Sequence, residues 1–326
     1  MKRRDFNAGA VTALGVVAVG LAVRPAVAAD RTIGWVSLES PQTMAPFLDA
    51  FRAGLAARGF DGANQVRIVE RYASGADAVP RLVAELERES VRLIVAQGPA
   101  SVPAVGTPRS VPVVYAYSGD PLAAGIAGSM ARPGRNATGM SFMSIELNPK
   151  RIELIRTILP DRRRIAMLSN DRHPGEEEEI AACQASVAPY GIELVVYRLS
   201  RAPELAPAVT RALDEGAQVL LAVPSAFMIL QAETIVSWTR ARGVPLISGW
   251  AQFAEAGALL TYGPNLRECY KRVAYYVARV LEGEPAGDLP FERPTNFELV
   301  INQKTAKALG VTIPPLILAR ADEVIE

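Results

Sequence analysis

The sequence predicts an α/β protein of two lobes, each built on a parallel sheet. Strands alternate with helices of ordinary length, the pattern of right-handed βαβ units. The same order of elements recurs on either side of the stretch 113–139. At 326 residues, half of them hydrophobic, the chain is long for one compact domain and comfortable for two. The charged fraction, 21%, excludes an extended disordered chain.

Val113 to Gly139 organises the rest. It opens as a buried strand, Val113-Val114-Tyr115-Ala116-Tyr117, and breaks at Ser118-Gly119-Asp120-Pro121. Small residues and glycines follow, read as a helix of the first lobe, and Asn136 to Gly139 leads into a hinge strand. Before this stretch the order is strand Thr32–Leu38, a helix carrying Met44, Phe47, Leu48, Phe51 and Leu55 at helical spacing, strand Val66–Tyr72, a helix from Asp77 to about Glu89, and strand Leu93–Ala96. A short helix then begins near Ser101. The second half runs strand Arg164–Ser169, a helix opened at Pro174-Gly175, strand Ile192–Tyr197, helix Pro203–Glu215, strand Gln218–Val223, a helix from about Ala226 to Arg242, and strand Pro245–Ser248. Strand Leu259–Pro264 and helix Leu266–Leu281 come next, then a Pro/Gly-rich loop and a last strand at Phe297–Ile301. The tail carries a short helix and Pro314-Pro315. If the Tyr262 strand and its helix return to the first lobe, several crossings join the lobes. That assigns 30–140 plus 258–288 to lobe 1 and 141–257 plus 291–326 to lobe 2, a layout suited to hinge closure.

Residues 1–28 read as an export signal. Lys2-Arg3-Arg4 is a basic start, Ala8–Val23 an apolar run shorter than the roughly 20 residues of a membrane span, and Ala26-Val27-Ala28 a small-x-small cleavage site. Arg3-Arg4-Asp5-Phe6 also fits a twin-arginine signal, although Asn7 departs from it. Cleavage removes a net +3 and turns the formal +1 of the whole chain into about −2, which speaks against a nucleic-acid partner. The two cysteines, Cys183 and Cys269, sit on apolar faces of expected helices. Two buried thiols and a pair formed in an oxidising compartment both remain open.

In open parallel sheets, ligands bind at the carboxyl ends of the strands. That rule selects Ser37 and Ser40, Gln97 with Ser101, and Tyr117 with Ser118 and Asp120 in the first lobe. In the second it selects Asn170, Ser225, Trp250 and Tyr262. Ser101 and Ser225 stand at expected helix N-caps, where free N–H groups suit a carboxylate. Asp120 either takes a ligand ammonium or fixes the turn before Pro121. In the first case Asp120→Ala weakens binding and spares the fold. Trp250 ends a strand and faces the crevice, whereas Trp35 and Trp238 are core positions. Glu176 to Glu179 reads as a helix start favoured by the dipole, and the lone histidine, His173, as a solvated turn residue.

Catalytic signals are poor. One histidine and two distant cysteines leave Ser-His, Cys-His and His-based metal machinery without parts. No GxSxG elbow is present, and Met140 stands where a phosphate-binding loop needs lysine. The expectation is a binding protein, not an enzyme, with no cofactor and no metal.

Several stretches in fixed order carry a resemblance. They are Gly119-Asp120-Pro121-Leu122, Arg132-Pro133-Gly134-x-Asn136-x-Thr138-Gly139, Pro245-x-Ile247-x-Gly249-Trp250, Tyr262-Gly263-Pro264, and a tail from Pro294 through Asn302-x-Lys304-Thr305-Ala306-Lys307 to Ala319-Arg320-Ala321-Asp322. Together they resemble the ABC-transporter substrate-binding family that includes tryptophan/tyrosine-type uptake proteins. The resemblance implies a type I periplasmic-binding-protein fold: two Rossmann-like lobes, three hinge crossings and a ligand closed between them. It implies a monomer in the periplasm that delivers a small molecule, such as an amino acid or aromatic compound, to an inner-membrane permease with a cytoplasmic ATPase. It places the crevice along segments matching Ser37–Ser40, Gly98–Ser101, Asp120, Asn170 and Ser225. Pro224-Ser225-Ala226 lacks the acidic or amide residue often found in the family at that point. The alternatives are a periplasmic sensor for a membrane signalling partner and an exported Rossmann-type oxidoreductase.

Overall fold

The computed structural model describes residues 31–326 apart from 143 and 174. The expected export signal, 1–28, lies outside the described residues. The first sheet contains β1 (Thr32–Ser37), β2 (Arg67–Tyr72), β3 (Ile94–Gln97), β4 (Val113–Tyr117) and β5 (Ala137–Ser141). Their order is β2-β1-β3-β4-β5, all parallel. Side chains alternate between its faces. Ile33, Trp35, Val95 and Val114 face one core, while Val36, Ile94, Val113 and Tyr115 face another. The second core lies under α2 (Val79–Arg88) and α3 (Ser101–Gly106). The first lies under α1 (Pro41–Ala56), which Ser40 caps by accepting from the Thr43 N–H at 3.2 Å.

The second sheet contains β6 (Arg164–Asn170), β7 (Glu193–Leu199), β8 (Val219–Ala222), β9 (Leu246–Ser248), β10 (Leu260–Pro264), β11 (Phe297–Asn302) and β12 (Glu323–Ile325). Its order is β12-β11-β10-β9-β8-β6-β7, with β10 and β11 antiparallel. It is flanked by α4 (Ser144–Ile158), α5 (Glu176–Val187), α6 (Leu205–Asp214), α7 (Ala226–Leu230), α8 (Ala232–Ala241) and α9 (Ala251–Ala256). Helix α10 (Leu266–Leu281) returns to the first lobe and packs on α1. The two helices touch closely at Gly54, where a Cβ would stand 2.7 Å from the Lys271 Cα. In the tail, α11 (Gln303–Ala308) and α12 (Pro315–Leu318) lie against the second lobe.

The strand at Leu260–Pro264 corrects the expected boundary. It does not belong to the first lobe. Leu260 pairs with Ile247 of β9 and Tyr262 with Leu299 of β11, so the strand is part of the second sheet. The reason is burial: Leu259 and Leu260 fill the second lobe's core before the chain can leave. The crossing comes at Asn265, whose side chain caps α10 by accepting from the Glu268 N–H at 3.0 Å. The first lobe also extends past 288, because Glu292 continues its sheet beside β5. The Glu292 N–H donates to the Gly139 carbonyl at 3.0 Å, and the Ser141 N–H donates to the Glu292 carbonyl at 2.8 Å. The chain therefore passes between lobes after β5, at Asn265, and between Glu292 and β11.

Smaller differences have local causes. The small residues after Pro121 form turns rather than a helix, with Gly125 in the left-handed region at φ +68. The helix expected over 226–242 breaks at Gln231. Helices α4 and α9 and strand β12 were not foreseen. Cys183 and Cys269 are separate buried thiols, one in each lobe.

Gly139 sits directly opposite Tyr115 in the β4–β5 register, and a Cβ there would lie 1.9 Å from the Tyr115 carbonyl oxygen. Neither strand has room to retreat, since Tyr115 is fully buried and stacked on Phe291 at 5.0 Å. Gly139→Ala is expected to destabilise the protein by at least the roughly 1–3 kcal/mol of core overpacking. Thermal unfolding checks it, and a wild-type midpoint would contradict it.

Candidate functional site

The carboxyl ends of both sheets face a crevice of about 510 Å3, counted to its mouth. Its floor is aromatic. Phe47 of α1 stacks on Tyr270 of α10 at 5.1 Å between ring centres, Phe142 at the first crossing lies 5.6 Å from Tyr270, and Trp250 meets Phe142 edge-on at 6.3 Å. Met44 and Leu266 complete the apolar wall. Burial holds the Tyr270 phenol far above its usual titration range, so it stays a donor. It donates to Gln97 Oε1 at 2.9 Å. Gln97 Nε2 and Trp250 Nε1 are buried donors without a partner among the described residues.

The same crevice also carries charged groups. Glu39 comes from the first lobe, two residues past the end of β1; Arg172 and His173 come from the second, just past β6. Desolvation pushes the Glu39 carboxyl above the ordinary glutamate range, although the charge of Arg172 pulls it down. Ser37 Oγ accepts the Glu39 N–H at 3.0 Å, and Asn170 Oδ1 accepts the Arg172 N–H at 3.0 Å, so each polar turn is held by its own strand end.

Ser37, Gln97, Asn170, Ser225 and Trp250 line this crevice. Ser225 also caps α7, accepting from the Met228 N–H at 3.3 Å. The other expected positions lie elsewhere. Ser40 is exposed and committed to capping α1. Ser101 is fully buried, with its hydroxyl turned toward the Ala96 and Ala116 carbonyls at 3.5 and 3.4 Å. Tyr117 shares its sheet face with Tyr115 and packs in the outer core. Asp120 is exposed and closes its own turn, accepting from the Leu122 N–H at 2.8 Å and the Ala123 N–H at 3.4 Å. It is a turn residue, and the expected loss of binding in Asp120→Ala loses its structural basis. Tyr262 lies outside the crevice, against Phe297 at 6.2 Å.

Sequence reasoning missed Glu39, Arg172 and His173. The strand-end rule reached their loops but selected by residue type within them. His173 is not solvated: it is buried in the crevice wall, with Nδ1 at 3.0 Å from Glu179 Oε2. Glu179 stands in the first turn of α5, as expected of a helix start, and is fully buried. Phe47 and Tyr270 carry no signal in the sequence beyond that of core positions on amphipathic helices.

The family described as ABC transporter substrate binding protein matches residues 36–325. The chain belongs to this family. A protein named tyrosine-binding protein from Clostridioides difficile (strain R20291) is 26% identical over 215 residues, 65% of this chain. The match spans 61% of that relative's length. Among solved structures, a conserved domain protein from Vibrio cholerae superposes with a TM-score of 0.81 at 22% identity, over 90% of this chain and 99% of that one. An ABC domain from Streptococcus pneumonia in complex with L-Trp superposes at 0.79 with 22% identity, over 91% of this chain and all of that one. These likenesses show the fold. This substrate-binding protein thus has the type I periplasmic-binding-protein architecture of two α/β lobes around a ligand crevice. The family is one of substrate-binding proteins, a non-enzyme class.

Proposed function

We propose that this substrate-binding protein acts in the periplasm, after cleavage near Ala28, as a monomer that closes on an amino-acid-like ligand with a large apolar or aromatic side chain. It then presents the ligand to an inner-membrane permease driven by a cytoplasmic ATPase. One observation carries the ligand class: Glu39 of one lobe and Arg172 of the other line the same crevice as an aromatic cluster. An α-ammonium suits Glu39, an α-carboxylate suits Arg172, and a ring suits the Phe47–Tyr270–Phe142–Trp250 floor. Ser37, Asn170 and Ser225 supply the shorter polar contacts. The names of the Clostridioides relative and the L-Trp complex point to the same class.

A ligand that spans the crevice touches both lobes, so its binding energy favours closure about the three crossings. Thermal shift with L-tyrosine, L-tryptophan, L-phenylalanine, simple aromatic acids and nucleobases tests the reading. At a hundred times Kd a ligand adds about 2.7 kcal/mol of stability. An aromatic amino acid is expected to raise the midpoint by several degrees. A flat response to all amino acids removes this reading.

A further inference from the structure

Behind the crevice wall of the second lobe lies a row of buried ionisable groups. His173 faces the crevice, and its Nδ1 meets Glu179 Oε2 at ion-pair distance, 3.0 Å, without an aligned hydrogen bond. Glu179, on α5, is fully buried and takes no part in the crevice wall. Next to it is Arg151 of α4, also fully buried, donating from Nη1 to Asn148 Oδ1 at 2.6 Å and from Nε to the Tyr262 carbonyl at 2.9 Å. Folding alone does not call for these buried charges, because apolar side chains of similar volume often serve stability as well or better. The two nitrogens of an imidazole lie on opposite sides of the ring. With Nδ1 turned to Glu179, Nε2 lies on the other side of the ring, buried and with no partner among the described residues.

We propose that His173 is a ligand-reading residue, held by Glu179 with the proton on Nδ1 so that Nε2 offers a lone pair to a hydrogen-bond donor of the ligand. A neutral imidazole has one N–H and one lone pair, and a carboxylate beside one nitrogen fixes the proton there. The charged groups around it are Glu39 across the crevice, Arg172 next in the chain, and Glu179 with Arg151 behind. The neighbouring Cys183 thiol is pushed up to about 12 by burial and stays uncharged. Glu179 is a positioning residue and Arg151 its counter-charge. The identity of the donor as an ammonium rests on the amino-acid reading above. In that case the ammonium is gripped by Glu39 from one lobe and Nε2 from the other, which couples its recognition to closure.

The chain contains one histidine. Labelling histidine at its ring nitrogens therefore gives a single imidazole in the NMR spectrum of the whole protein. The ligand-free protein at neutral pH is expected to show a protonated Nδ1 and a bare Nε2, and L-tyrosine or L-tryptophan to shift the Nε2 resonance. A ring protonated at Nε2 in the ligand-free protein overturns the proposal, whether or not either amino acid binds. Failure of the amino-acid reading shows separately, as a flat thermal-shift panel. His173→Phe keeps a ring in place and leaves Glu179 beside Arg151. It is expected to weaken L-tyrosine about ten- to a hundredfold while sparing the desamino analogue. Equal losses for both, or none for L-tyrosine, count against it. Glu179→Gln, whose amide can donate to Nδ1, is expected to move the proton to Nε2 and weaken L-tyrosine similarly. An unchanged tautomer in a folded Glu179→Gln protein overturns Glu179's positioning role.

Discussion

Arg151→Met is expected to cost about 3–5 kcal/mol of unfolding free energy, the usual penalty for leaving a buried charge uncompensated. Arg151 has no surface exposure, and burial pulls its guanidinium down to about 10 against the opposing charge of Glu179. Its side chain ties α4 to the Tyr262 carbonyl of β10, next to the second crossing. Space for the guanidinium depends on Gly249, where a Cβ would come within 2.4 Å of Nη2. Methionine fills much of the volume but leaves the Glu179 carboxylate without its cation in a dry site. The double variant Arg151→Met, Glu179→Leu removes both charges and is expected to recover most of the loss. Urea unfolding measures both, with an unchanged slope marking a change in stability alone. Arg52→Met serves as control: Arg52 is exposed and 3.3 Å from Glu70, so its loss stays within about 0.5 kcal/mol. A single variant no weaker than that control would remove the structural importance assigned here to Arg151.

Glu39→Gln is expected to weaken an aromatic amino acid about a hundredfold, near 2–4 kcal/mol, and yet to raise the stability of the ligand-free protein. Both effects come from the desolvation that dominates this carboxyl. Because its pKa is raised on folding, the native state holds the proton more tightly than the unfolded chain does. The ionised group therefore costs stability above its folded pKa. That cost is relieved as pH falls from the raised value toward the ordinary glutamate one. Glutamine removes the cost at neutral pH and also removes the charge that meets an ammonium. Ligand affinity follows the opposite course: it falls as Glu39 takes up its proton, and the fall begins at a higher pH than for an ordinary carboxylate. Calorimetry across that range, with thermal melts of the empty protein, measures both halves. Wild-type affinity in the variant would remove Glu39 from the site, and a lower empty-state melting point would contradict the desolvation argument.

Local signals were enough for most elements. Alternating apolar residues in β1, the stop at Gly59 and the capping Asn265 act within a few residues of themselves, so the sequence shows them directly. Unforeseen α9 and β12 are short, and brief segments carry too few residues for a period to show. The site was half legible. A strand-end rule finds loops, and so it reached Ser37, Gln97, Asn170, Ser225 and Trp250. It could not tell which face a neighbouring side chain takes. Tyr117 and Ser118 are adjacent, yet one packs outward and the other lines the crevice.

By itself the sequence determined two α/β lobes, the order of their strands and helices, and the segments that end near the crevice, because hydrophobic period and turn chemistry are local properties. It also carried the family motifs. Tertiary structure alone decided which sheet receives Leu260–Pro264, that Asp120 serves its own turn, and that Glu39, Arg172 and His173 meet. The last of these joins residues more than a hundred positions apart. There, the desolvation of a charge and the facing of a side chain are set by partners that no local pattern names.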